Sequence, residues 1–175
     1  MSGLQISAWI AAAVLLFWTV GAYNRLVALR NAIVRSFAPV DEQFIARHGL
    51  LQHQVKAVGE VLVHAAERLD SLRAACLQAE TARAHAKAHP GAPGAIKSLR
   101  LADDILTEAR ARLPVQAVVG VDMSDLNARL AATDTSLAFA QRQFNAAVLE
   151  YNGAVRQLPT RLIAAVFGFA PAGTL

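Results

Sequence analysis

His85 and His89 have the spacing of two metal ligands, because histidines four residues apart share one face of a helix and can bind a metal ion together. No carboxylate lies between them or just after them, and Pro90 follows at once. We therefore interpret both side chains as exposed histidines beside a turn. His48 and His53 lie five residues apart and share a face poorly, so His48 is predicted to be a partly buried, hydrogen-bonded histidine.

A cluster of acids forms a second group. Asp103, Asp104 and Glu108 resemble the paired carboxylates of acid–base catalysis. On a helix, however, Asp104 and Glu108 share a surface that faces Arg112, which predicts a solvated charged face with ion pairs four residues apart. Di-iron bundles need Glu-x-x-His motifs that face inward, and the sequence contains none.

Other catalytic motifs are missing from the sequence. No glycine-rich phosphate loop follows a strand, and no serine–histidine–aspartate context is visible. Cys76 is the single cysteine; it lies on an apolar stripe, and we interpret it as an inert core thiol. We therefore expect a protein that is not an enzyme and that binds no cofactor and no metal ion.

Asn145 and Asn152 form the most informative polar pair. They lie seven residues apart, hence on one helix face, and each follows a large aromatic residue, Phe144 or Tyr151. We interpret them as buried amides that set the helix register or bond to a neighbouring helix. Two alternatives are a strip that binds a partner and a ligand site.

The residues before Arg25 form an apolar run without a single charged side chain. The run covers residues 4–23, and about 20 apolar residues are enough for a helix to cross a bilayer. A cleaved secretory signal is an alternative, although no Lys or Arg precedes the run. A buried core helix is a third alternative, which would have to be surrounded on all sides. The predicted anchor residues are Leu4, Trp9, Leu15, Leu16, Trp18 and Tyr23, with Tyr23 at the headgroup level.

Arg25, Arg30 and Arg35 follow the apolar run, and no acid precedes Asp41. The positive-inside rule therefore places the N-terminus outside and the rest of the chain in the cytoplasm. These arginines are expected to contact anionic lipid headgroups. We expect no nucleic-acid partner, because the other basic residues are interleaved with acids and no aromatic stacking platform is present.

Two seven-residue series predict one long amphipathic helix over residues 40–88, with the period of a coiled coil. The first series consists of Phe44, Leu51, Val58, Ala65, Leu72 and Ala79, and the second of Val55, Leu62, Leu69 and Cys76. Such a helix would be about 70 Å long. Residues 89–95, HPGAPGA, predict a turn because prolines stop a helix and glycines permit reversal.

Two shorter helices are predicted beyond this turn. The first has the apolar stripe Leu99, Ala102, Leu106, Ala109 and Leu113, and Pro114 ends it. A connection with extended character around residues 118–121 follows, and Asp122 or Ser124 is expected to cap the last helix. That helix carries the large series Leu130, Leu137, Phe144, Tyr151 and Leu158 beside the small series Thr133, Ala140, Ala147 and Ala154. Pro159 is expected to end it.

The sequence as a whole predicts an all-α protein: an N-terminal transmembrane helix followed by an elongated antiparallel bundle of three to four helices. We divide the chain into an anchor (1–24), a basic juxtamembrane helix or linker (25–39) with a kink or break at Pro39, a bundle (40–161) and an apolar tail (162–175). The tail is too short to span a bilayer. It is expected to pack on the bundle, or else to contact the membrane interface or a partner through Phe167 and Phe169.

The order of several short motifs resembles the LemA family of bacterial membrane proteins. The motifs are Tyr23-Asn24-Arg25-Leu26-Val27, Val40-Asp41, Arg47, Leu50-Leu51, Leu113-Pro114, Thr133-Asp134, Phe144-Asn145, Tyr151-Asn152, Leu158-Pro159-Thr160-Arg161-Leu162-Ile163-Ala164 and Phe167-Gly168-Phe169. The chain diverges from the family at Gly49, Gln52 and His53, where Asp, Pro and Asn are usual. The resemblance implies a single-pass anchor, a short outer N-terminus and a cytoplasmic helical bundle. Some family members are associated with magnetosome membranes, which suggests membrane organisation rather than catalysis.

These observations lead us to expect a membrane-anchored interaction or scaffolding protein at the bacterial cell membrane or an internal membrane. Its expected partners are membrane lipid, an unidentified membrane or cytoplasmic protein, and a second copy of the chain. The alternative is a periplasmic or surface-exposed bundle that binds a ligand or partner outside the cytoplasm. The candidate interaction or packing residues are Asn145, Tyr151, Asn152, Pro159, Phe167 and Phe169.

Overall fold

The computed structural model describes residues 3–61, 66–112 and 123–175, and all regular structure in these ranges is helical. The helices are α1 (Gly3–Val61), α2 (Ala66–Ala88), α3 (Pro93–Ala111), α4 (Ser124–Arg156) and α5 (Thr160–Phe167). This result confirms the all-α prediction. The predicted extended stretch at 118–121, the Leu113-Pro114 motif and Asp122 lie outside the described residues. The N-cap position of α4 is Met123, so Ser124 is the first residue of that helix and not its cap.

Helix α1 is one helix that continues through Pro39, so the chain does not break there. A proline inside a helix removes one backbone hydrogen bond and strains the preceding turn. Packing offsets this cost, because Phe37 and Val40 on either side of the proline are both buried in the core. Residues 25–39 are therefore helical and already contribute Leu26 and Ile33 to the bundle.

The prediction of one helix over residues 40–88 is wrong, because α2 runs back along α1. The side chain of Asp41 pairs with Arg83 and Lys87, whereas on a single straight helix residues 41 and 83 would be about 60 Å apart. A Cβ at Gly59 would lie 3.7 Å from Leu69 Cδ1. Two antiparallel helices that bury facing apolar stripes have the same seven-residue period as one long helix. The periodicity therefore does not reveal where the chain reverses.

The remaining helices complete an antiparallel bundle. Helix α3 forms a hairpin with α2 beyond the turn that contains Pro90, and α4 packs antiparallel along α1. The rings of Phe37 and Phe144 meet edge to face between α1 and α4, with centroids 5.6 Å apart. Helix α5 packs against both α1 and α4. The elongated bundle predicted from the sequence is therefore the observed architecture.

The apolar stripes of α3 and α4 largely face the core as predicted. Buried members include Leu99, Ala102, Leu106, Leu130, Leu137, Ala140, Phe144, Tyr151 and Ala154. Leu158 departs from this pattern and is largely exposed. The physical reason is that α4 ends at Arg156, so Leu158 no longer follows the helical period; Pro159 then precedes α5.

A buried ion cluster joins α1 to α2. Asp41 accepts hydrogen bonds from Arg83 and from Lys87, the latter at 2.8 Å, and Arg83 also donates to Glu80 Oε1 at 2.6 Å. Burial alone would raise the pKa of Asp41, but the hydrogen bonds from Lys87 and Arg83 and their positive charges outweigh burial and hold that pKa below its usual range. The carboxylate therefore stabilises the folded chain while it is ionised.

We expect Asp41→Asn to lower the free energy of unfolding at neutral pH by about 1.5–3 kcal/mol, the usual range for a hydrogen bond to a charged group. A lowered folded-state pKa stabilises above the unfolded-state pKa, and the contribution is lost as pH falls through the folded-state value. The difference between the two proteins should therefore shrink below about pH 4. Urea unfolding of the full chain, followed by helical circular dichroism across this range, measures both effects.

The matched control for this prediction is Glu42→Gln, which removes an exposed acid from the adjacent position of α1. We expect its effect to stay within about 0.5 kcal/mol. A destabilisation by Asp41→Asn that does not change with pH would contradict the prediction.

Candidate functional site

The first part of α1 is an apolar segment that nothing in the described chain covers. Its most apolar window has a mean hydropathy of 1.8, and none of that window is buried. The large side chains Trp9, Leu15, Leu16 and Trp18 are all exposed; the side chain of Leu4 lies outside the described residues. This segment is long and apolar enough to cross a membrane. The alternative of a buried core helix is wrong, because no part of the window is buried.

The change from exposed to buried is abrupt and falls beside the first arginine. Leu26 is fully buried in the core, only three residues after Tyr23. Arg25, Arg30 and Arg35 are exposed on α1 at and just beyond this point. We call this part of the molecule, where α1 leaves the core, the apolar end of the bundle.

Asn145 and Asn152 bind the end of the predicted tail; because Thr160–Phe167 form α5, the tail from here on means residues 168–175. Asn145 Nδ2 donates to the Leu175 carbonyl at 2.8 Å, and the Leu175 N–H donates back to Asn145 Oδ1 at 2.8 Å. Asn152 repeats the arrangement with Ala172, at 2.9 and 2.7 Å. The expectation that these amides bond to a neighbouring helix is therefore wrong, because their partner is a segment without regular secondary structure. The expectation that the tail packs on the bundle is confirmed.

The spacing of the two amides fits an extended chain. Seven helical residues separate them by about 10.5 Å, and three residues of extended chain cover about 9–10 Å. Asn152 and Asn145 therefore meet the tail at residues 172 and 175 in the same orientation. A fifth hydrogen bond comes from Tyr151, whose Oη donates to the Ala170 carbonyl at 3.0 Å. Burial raises the pKa of Tyr151, so the phenol keeps the proton that it donates.

The turn between α2 and α3 encloses the tail from the other side. A Cβ at Gly173 would lie 2.8 Å from Pro93 Cα, too close for any residue larger than glycine without a shift. Ala172 lies close to Gly91 in the same turn. The tail is thus held between the polar face of α4 and the turn after α2. That turn is shorter than the predicted 89–95, because α3 already begins at Pro93.

Helix α5 and an aromatic cluster occupy the apolar end. The ring of Tyr23 lies 4.9 Å from Phe167 and 5.8 Å from Phe169, measured between centroids. Gly168 ends α5 with a φ of 71°, a left-handed conformation that glycine adopts at little cost. The reversal lets Phe169 pack on the core while Phe167 remains half exposed.

A second ion cluster, centred on one buried arginine and not predicted from the sequence, joins α1, α3 and α4. Arg47, which is buried, pairs with Asp103 and lies 3.5 Å from Asp134, and Arg110 donates to Asp134 at 2.9 Å. Burial lowers the pKa of Arg47, and the nearby charge of Asp134 opposes that shift. Asp103 does not share the predicted solvated face of Asp104 and Glu108; it is largely buried because it follows Leu99 by one helical turn.

The heptad pattern contains the signal that would have revealed these charges. Arg47 lies between Phe44 and Leu51 on the apolar stripe, and Asp134 lies between Leu130 and Leu137. A charge at such a position is expected to be buried and paired. The exposed pair Glu108–Arg112, at 2.5 Å, does follow the surface spacing that the sequence predicted.

The residues first considered for chemistry occupy ordinary structural positions. His85 and His89 are exposed, with ring centroids 5.1 Å apart and ring planes tilted by 48°. His48 is half buried and hydrogen-bonded to Gln52 at 2.8 Å. Cys76 is buried, and burial raises the pKa of its thiol, which disfavours the reactive thiolate. Within the described ranges, no group of three or more His, Cys, Asp or Glu side chains is arranged to hold a metal ion.

A helical bundle with an exposed apolar helix at one end has the architecture of a membrane-associated protein. The model of the LemA family matches residues 36–175, which include most of the bundle, α5 and the tail. The chain therefore belongs to the LemA family, and the resemblance noted from the motifs is confirmed. No curated protein matches the chain.

We expect Asn152→Ala to release the tail without unfolding the bundle. The substitution removes two hydrogen bonds at Ala172, a loss of about 1–3 kcal/mol, which corresponds to roughly 5- to 150-fold faster opening. Hydrogen exchange at the Ala172 amide should accelerate by that factor, while exchange in α1 and α4 changes little.

The control for tail release is Asn127→Ala, which changes an exposed asparagine near the other end of α4. We expect this variant to leave exchange throughout the tail unchanged. Unaltered exchange at Ala172 in the Asn152→Ala protein would show that the amide contacts do not hold the tail.

Proposed function

We propose that this chain is a membrane-anchored, non-catalytic interaction or scaffolding protein whose bundle lies in the cytoplasm. The observation that carries the proposal is the continuity of α1, which is one helix from the uncovered apolar segment into the core. A bundle joined in this way keeps a set position at the membrane, as a scaffold requires. LemA membership supports the membrane association.

The partners we propose are anionic lipid, an unidentified membrane or cytoplasmic protein, and a second copy of the chain. Exposed Arg25, Arg30 and Arg35 can meet lipid headgroups beside the apolar segment. Large apolar side chains that include Phe139 and Leu149 are exposed along α4 and offer contacts for protein. The membrane is the cell membrane or an internal membrane derived from it, and a magnetosome membrane falls in the second class.

The second candidate places the bundle outside the cytoplasm. It follows if the orientation is reversed or if the apolar segment is a signal that is cleaved, because a signal is also apolar and N-terminal. The charge distribution favours the cytoplasmic orientation, since the arginines closest to the segment all follow it.

Single cysteines distinguish the two orientations. In a Cys76→Ser background, we expect Gly3→Cys to react with a membrane-impermeant maleimide in spheroplasts. We expect Leu101→Cys, an exposed position on α3, to react only after the membrane is permeabilised. The reverse pattern would establish the second candidate. Mass spectrometry of the purified chain checks that residues 1–24 are retained, and their absence would identify a cleaved signal.

Photocrosslinking tests the interaction role. We expect photoreactive groups at Phe139 and at Leu149 to give discrete adducts in intact membranes, because both positions are exposed on α4. The matched control is Phe144 on the same helix, which is fully buried and should react only within the chain. Mass spectrometry then identifies the adduct as a second copy or another protein. A monomeric chain with no adducts beyond those of the control would contradict the proposal.

A further inference from the structure

Helix α5 closes the bundle at the end from which the apolar segment of α1 leaves. Helix α4 approaches this end, α5 crosses it, and the tail runs away from it again, passing Tyr151 and Asn152 before it reaches Asn145. Tyr23, the last residue of the apolar run, contacts Phe167 at the end of α5. The apolar environment that the uncovered segment of α1 needs therefore ends at the level of α5.

The two faces of α5 differ sharply. Thr160, Ile163 and Ala164 are buried against the bundle. On the outer face, Leu162 is 61% exposed and Val166 is 77% exposed. They lie one helical turn apart, and exposed Phe167 and Leu158 extend the patch at either end. An apolar patch of this kind on a bundle surface normally marks a contact with something outside the chain.

In the described part of the chain, the charged residues that flank this patch are arginines. Arg156 and Arg161 are exposed beside it, and Arg25 is exposed on the neighbouring turn of α1. No acidic residue follows Glu150 in the sequence. Apolar side chains flanked by arginines alone are suited to a lipid interface with anionic headgroups. A protein partner that carries charges of both signs would be attracted less strongly by these arginines than an anionic lipid surface.

We propose that α5 is an interfacial helix that lies in the headgroup region of the bilayer that α1 enters. Leu162, Val166 and Phe167 point toward the acyl chains, and Arg156 and Arg161 bind headgroup phosphates. The proposal rests on the membrane anchor in the proposed function, but it holds for either orientation of the anchor. The bundle then has two attachments to the membrane, which restrict its tilt about the spanning helix.

Lipid-borne quenchers test the proposal on the full chain reconstituted in anionic bilayers. In a Cys76→Ser background, a polarity-sensitive fluorophore is attached to Val166→Cys, and the lipid carries a spin-label quencher near the headgroup. We expect several-fold quenching at Val166. The matched control is Leu77→Cys on α2, which has similar exposure and is expected to show no quenching. A label at Leu15→Cys with a deep quencher reports on the anchor itself.

The outcomes separate this proposal from the one on which it rests. Quenching at Leu15 without quenching at Val166 would overturn the interfacial helix and leave the anchor intact. A Val166 label that is shielded without quenching, together with disulfides between copies of the unlabelled Val166→Cys protein, would assign the patch to a second copy and also overturn the proposal. No quenching at Leu15 would refute the anchor, and the interfacial helix with it.

A charge reversal tests the arginine contribution separately. We expect Arg161→Glu to reduce quenching at Val166 several-fold in anionic bilayers and to change it little in zwitterionic ones. The residue is exposed, so the bundle should keep its helical circular dichroism and its unfolding midpoint. Equal quenching of both proteins in anionic bilayers would contradict the role of Arg161.

Discussion

The uncovered apolar segment of α1 constrains the position of the bundle, because both belong to one continuous helix. Because α1 continues through Pro39, this segment cannot fold back to be covered by the bundle, and none of its most apolar window is buried. A helix that is apolar on all sides needs a continuous apolar surrounding. The core begins at Leu26, immediately after the segment. A continuous helix, rather than a flexible linker, thus sets the distance between the core and the apolar environment of this segment.

The end of the chain satisfies a second constraint, the pairing of backbone polar groups. An extended segment that lies on a helix has no neighbouring strand, yet its N–H and carbonyl groups need partners once water is displaced. Asn145 and Asn152 supply both a donor and an acceptor at matching intervals. Their contacts require the chain to reverse after α4, and the reversal places α5 across the apolar end.

Local patterns in the sequence determine the helices but leave the direction of packing open. The described members of the seven-residue series through Phe44 and Leu72 are buried as predicted. The series could not show that the chain reverses between them, because antiparallel partners share the same period. The turn at Pro90 was predictable because proline and glycine act locally. Asn145 could be recognised as special, but its partner Leu175 lies 30 residues away, and no rule of local spacing relates the two.

Buried charges supply the information that periodicity lacks. An antiparallel pair with repeating apolar stripes can slip by seven residues and still bury similar surface. Slipping α2 against α1 would separate Asp41 from Arg83, and slipping α4 would separate Asp134 from Arg47. An ionised group left buried and unpaired costs several kcal/mol, more than the pair contributes when it is formed. The charged residues on the apolar stripes thus mainly destabilise wrong registers of the helix pairs. The correct register is the one that brings Tyr23 beside Phe167.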